Sequence, residues 1–126
     1  MNRMFSVVLI AFFFASSAAA HHSAEGMYDL TQKITLKGIV TKVEWKNPHI
    51  YCYVDVVGTD GNTRNWEVEI QGNPNSMFRA GWTRDSLKVG DAVVIEGSRA
   101  RKADLDRVLS NTFTLPDGRK LGSRNN

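Results

Sequence analysis

Cysteine, histidine and proline are scarce in this chain of 126 residues, with one Cys, three His and three Pro. A lone cysteine excludes an intramolecular disulfide. An excess of charge of one sign is also lacking. Sixteen Lys and Arg against 13 Asp and Glu leave a net charge of +3, which implies no strongly charged partner. The basic excess sits late, in "SRARK" (Ser98 to Lys102) and at Arg119 and Lys120, and reads as solvated strand ends. No glycine-rich phosphate loop is present, and neither Ser23 nor Ser86 lies in a nucleophile turn. There is no internal repeat, linker or low-complexity block. The longest hydrophobic run, "FSVVLIAFFF" from Phe5 to Phe14, is far shorter than the ~20 residues of a spanning helix.

That short run has a different use. It follows a basic start at Arg3 and leads into Ala18-Ala19-Ala20, the small-residue pattern that a signal peptidase cuts after. Residues 1–20 are therefore expected to be a cleaved signal peptide. The mature chain begins at His21 and is periplasmic or secreted, with no membrane association after cleavage.

The rest of the chain alternates apolar and polar residues with the period of strands. In "ITLKGIVTKVEW", Ile34 and Leu36 share one phase and Ile39, Val43 and Trp45 the other. Gly38 lies between them, which predicts a bulge or bend there. "NPH" (Asn47 to His49) is a turn before a strand from Ile50 to Val57. In that strand Ile50, Cys52, Val54 and Val56 face inward, making Cys52 an inert core thiol, while Tyr51 and Tyr53 face out. "GTDGN" is a hairpin loop, and "TRNWEVEI" returns with Trp66, Val68 and Ile70 inward. Matching the faces places Tyr53 near Glu67 or Glu69 and requires an odd number of loop residues.

"NPNSMFRAG" predicts a short helix capped by Asn73, started by Pro74 and ended by Gly81. "AVVIEG" (Ala92 to Gly97) and "RVLSNTFTL" (Arg107 to Leu115) complete five strands, and "LPDG" is a turn. The expected fold is all-β: a small five-stranded OB-like Greek-key barrel with one short helix between strands 3 and 4. It spans residues 34–121, after a segment 21–33 and before a disordered tail 122–126.

The segments "HHS", "ITLKGIVTKVEWKNPH", "GWTRDSLKVGD" and "LPDGRK" together resemble a family of small exported bacterial proteins known as a domain of unknown function. The resemblance implies export and a small β-barrel, and brings no established activity and no catalytic residues.

The chemistry has to come from the side chains. Cleavage before His21 frees an α-amine that joins the His21 imidazole in one chelate ring. His22 adds a second imidazole, and His49 lies beside the bend between strands 1 and 2. Such nitrogen donors favour copper(II) over other divalent ions. The second reading is a face carrying Tyr51, Tyr53, Glu67 and Glu69 that stacks a saccharide ring or holds a peptide. Those glutamates, with Asp55, oppose phosphate, so no nucleic-acid partner is expected. The chain thus reads as a monomeric, non-enzymatic binding protein for a metal ion or small ligand.

Overall fold

Strand alternation and turn chemistry account for most of the observed elements. The computed structural model describes residues 24–122, in which six strands form one sheet. They are β1 (Tyr28–Trp45), β2 (Ile50–Val57), β3 (Thr63–Ile70), β4 (Ala92–Ala100), β5 (Arg107–Thr114) and β6 (Lys120–Gly122). The sheet order is β3-β2-β1-β4-β5-β6, and β3 also pairs with β5. That last pairing is parallel and closes β1 to β5 into a ring, while the other ladders are antiparallel. Five strands closed in this order are the Greek-key barrel of the OB-fold. Among the described residues, no helix is long and apolar enough to cross a membrane.

Inward residues fill the ring. Ile50, Cys52 and Val54 meet Trp66, Val68 and Ile70 across β2 and β3, and Ile95, Val108 and Phe113 close the far side. The helix α1 (Pro74–Arg79) buries Met77 against this core. Its start is locally encoded: Asn73 accepts from the Ser76 backbone while the Ser76 side chain accepts from Asn73, a reciprocal capping box with Pro74 behind it. Gly81, at φ +96°, turns the chain away just past the helix end.

The β2–β3 hairpin forms as expected. Residues 58–62 make an odd loop, and the register sets Tyr53 opposite Glu67 and Tyr51 opposite Glu69.

The strands differ from the sequence reading in several places: β4 runs on to Ala100, β5 ends at Thr114, and β6 is a sixth strand beyond the five expected. Three further differences concern β1 and the tail. The bulge of β1 lies between Val40 and Lys42, not at Gly38. Leu36 and Val40 are buried on one phase that runs through Gly38, and Ile39 is exposed. Thr41 is the extra residue, and its hydroxyl donates to the Tyr53 carbonyl (3.2 Å). Gly38 answers a different need. Its φ is not positive, but a Cβ there would stand 2.6 Å from the Asp55 carbonyl oxygen.

Second, β1 begins at Tyr28 rather than Ile34, so residues 28–33 belong to the sheet. Third, Gly122 is the last residue of β6 and not part of a tail. Residues 123–126 lie outside the described residues.

Candidate functional site

Alternation turns Tyr51 and Tyr53 of β2, and Glu67 and Glu69 of β3, to the outside of the barrel. Register then makes them neighbours as two facing pairs. The β1–β2 loop, residues 46–49, borders this face at one end, and Arg107 at the start of β5 borders it along β3.

Each carboxylate on this surface has partners. Arg107 Nη2 lies 2.8 Å from Glu67 Oε1. The Tyr28 hydroxyl donates to Glu69 Oε2 at 2.6 Å, and His49 Nδ1 stands 3.5 Å from Glu69 Oε1. Glu44, on β1, receives Lys42 at 2.6 Å and Lys46 at 3.0 Å, and accepts from the Tyr53 hydroxyl at 3.3 Å. The two lysines pull the Glu44 carboxyl down to about 2.

The phenols are pushed the other way. Burial first, then the hydrogen bond to Glu69, raises the Tyr28 hydroxyl above the ordinary tyrosine range. Burial raises Tyr51 and Tyr53 as well, followed by the nearby glutamate charges. All three are therefore neutral hydroxyl donors at physiological pH, set among carboxylate acceptors.

The ring faces are partly used. Lys42 Nζ lies 5.2 Å from the Tyr53 ring centre, and the His49 ring meets Tyr51 edge-on at 6.4 Å. Arrays of aromatic rings with paired donors and acceptors suit uncharged polar ligands better than strongly charged ones.

The fold brings Tyr51, Tyr53, Glu67, Glu69 and His49 onto one surface. His49 is about half exposed at its side chain. His21 and His22 lie outside the described residues. Among the described residues, no group of three His, Cys, Asp or Glu side chains is placed to hold a metal ion. Cys52 is fully buried, and burial pushes its thiol up to about 12, in keeping with an unreactive core residue.

Several residues of this surface escape the sequence reading, among them Glu44 with its lysines, Arg107 and Tyr28. Arg107 reads there only as the first residue of the last strand, and its place beside Glu67 follows from the parallel β3–β5 ladder. Tyr28 falls in a segment without clear alternation. An aromatic residue in a mostly polar stretch is the sequence signal that could have found it, and the structure buries it fully.

Comparison with known proteins fits this architecture. The model of the Family of unknown function (DUF6152) matches residues 9–108. The chain belongs to that family. No curated protein matches it. Two crystal structures of the mitochondrial single-stranded DNA binding protein Rim1 from S. cerevisiae (Form2) are similar in fold. One has a TM-score of 0.51 at 14% identity, and the selenomethionine-labelled one 0.50 at 15%. Each alignment covers 68% of this family member and 93% of the Rim1 chain. At that identity the likeness concerns the fold.

Proposed function

We propose that this protein is an exported, non-enzymatic binding module that holds an uncharged saccharide on the outer face of β2 and β3. The observation that carries this reading is the facing pair Tyr51–Glu69 beside Tyr53–Glu67, on the strands that OB-folds use for oligosaccharides and oligonucleotides. Tyrosine rings supply flat apolar area for a sugar face, and the carboxylates, held by Arg107 and Tyr28, accept its hydroxyls. Rim1 is a single-stranded DNA binding protein of the same fold. Here Asp55, Glu67, Glu69 and Glu44 offset Lys42, Lys46 and Arg107, so the face offers no excess of positive charge to a phosphate backbone, which favours a sugar over a nucleic acid.

The test is titration of the protein with neutral oligosaccharides, a cationic peptide and single-stranded DNA, followed by tryptophan and tyrosine fluorescence. Saturable saccharide binding, lost at least ~10-fold in Tyr51→Ala, is the expected result, a loss of about 1.4 kcal/mol. Binding of only the peptide or the DNA overturns the ligand class. Saccharide binding that survives Tyr51→Ala and Tyr53→Ala overturns the face.

One observation favours copper(II) as a second ligand. Glu69 holds Tyr28 and also neighbours His49, so the chain six residues after His22 is fastened to the carboxylate beside the third histidine. Processing before His21 would then provide an amine and two imidazoles close in sequence to that anchor.

A further inference from the structure

The beginning of β1 does not lie flat on β4. Its ladder jumps from Tyr28 opposite Ala100 to Lys33 opposite Ser98, so β1 has surplus residues over that interval. Surplus length in one strand has to leave the plane of the ladder. Both ends of the bow are tied. Ahead of it, Arg101 donates from its backbone to the Met27 carbonyl (3.0 Å) and from Nε to the Glu25 carbonyl (2.7 Å). After it, Lys33 Nζ donates to the hydroxyl of Ser98 at 2.8 Å.

Between the bow and the outer surface of β4 and β5 lies a cavity of about 470 Å³. That size falls within the range of small-molecule sites. Leu30, Ile34 and Leu109 give it apolar walls, Lys33 a cation, and Glu25 and Glu96 two carboxylates. Ser98 also lines it and is 2% exposed, although it stands on the outer side of the sheet. Its oxygen accepts from Lys33, which leaves its own proton to donate to a ligand.

This lining selects by charge. A simple anion would meet two carboxylates for one ammonium, and a simple cation would meet Lys33. A molecule carrying both charges around an apolar body meets both signs of charge, with Thr35 and Gln71 as further polar lining. We propose that the cavity binds a small apolar zwitterion of the amino-acid or dipeptide class. Its carboxylate lies at Lys33 and Ser98, its ammonium at Glu96 and Glu25, and its side chains against Leu30, Ile34 and Leu109. The site adjoins the β2–β3 face, since Leu109 pairs with Glu69, but it shares none of Tyr51, Tyr53, Glu67 and Glu69 and does not depend on the saccharide reading.

The experiment is calorimetric titration of the full chain with leucyl-leucine, its carboxyl-terminal amide and its N-acetyl derivative. Leucyl-leucine is expected to bind at least ~10-fold more tightly than either capped form, about 1.4 kcal/mol for each charge. Lys33→Met should erase the preference over the amide and keep that over the acetyl form, and Glu96→Gln should do the reverse. Tyr51→Ala should leave all three affinities as they are. Absence of saturable binding at millimolar ligand, or equal affinity for the three compounds, overturns the proposal. Loss of dipeptide binding in Tyr51→Ala overturns its placement.

Discussion

Glu69 occupies an outward strand position that, in isolation, describes an ordinary solvated glutamate. In the folded chain its side chain is only 12% exposed, with Tyr28 on one oxygen and His49 near the other. A hydroxyl donating to a carboxylate stabilises more than a neutral hydrogen bond does. Tyr28→Phe keeps the buried ring and removes this bond, so it should cost about 2 kcal/mol at neutral pH, read by urea denaturation.

The same residue sets a pH dependence. Its hydroxyl titrates above the ordinary value of 10.0 in the folded state, so its contribution is complete below pH 10. Above that, the unfolded chain loses the proton while the folded chain keeps it, and stability falls as the pH rises. Tyr28→Phe should therefore show a shallower loss of stability above pH 10 than the unchanged protein. Equal slopes would mean that the Tyr28 hydroxyl is not protected by its surroundings.

At the scale of elements, α1 and the β2–β3 hairpin were legible because their determinants are local. Asn73, Pro74, Ser76 and Gly81 lie within one short stretch, and alternation set which face of each strand is buried. The bend of β1 was legible in kind but misplaced. A glycine at an apparent change of phase suggested the bulge, whereas the extra residue is Thr41 and Ile39 simply points outward. Whether an apolar residue such as Ile39 belongs to the core depends on what covers that face. No run of sequence specifies that.

Gly38 remains structurally demanding for a reason that only the neighbouring strand supplies. A methyl group there would press on the Asp55 carbonyl oxygen and on Val56. Gly38→Ala should thus destabilise the barrel by more than ~1 kcal/mol in thermal or urea unfolding, with Gly38→Val worse. A neutral Gly38→Ala would show that β1 and β2 approach less closely than the backbone geometry implies.

At the scale of the whole molecule, the copper(II) proposal concerns the amino-terminal histidines, His21 and His22. If processing creates a copper(II) site, a chain starting at His21 should bind the ion more tightly than one with a single extra residue before it. Losing the α-amine and its chelate ring should weaken binding at least ~10-fold, about 1.4 kcal/mol. Isothermal titration against a competing chelator measures the difference, and equal affinities would remove the junction from the site. His49→Ala separates a terminal chelate from one that reaches the β1–β2 loop: a further loss places His49 among the ligands.

What this sequence determined by itself is the five barrel strands, the buried faces of β2 and β3, the capped helix and the shared outward face of Tyr51, Tyr53, Glu67 and Glu69. Each follows from residues close along the chain, through the two-residue period of strands and the chemistry of turns. The barrel was expected from the order of the elements, but the ladder that closes it and the contacts that ladder makes were decided by tertiary structure. The parallel β3–β5 ladder brings Arg107 to Glu67, and the closed ring brings Tyr28 to Glu69, 41 residues away. The cavity under the bow arises from a mismatch in length between β1 and β4. These depend on how distant strands are paired, and alternation within a strand carries no record of its partner on the far side of a barrel.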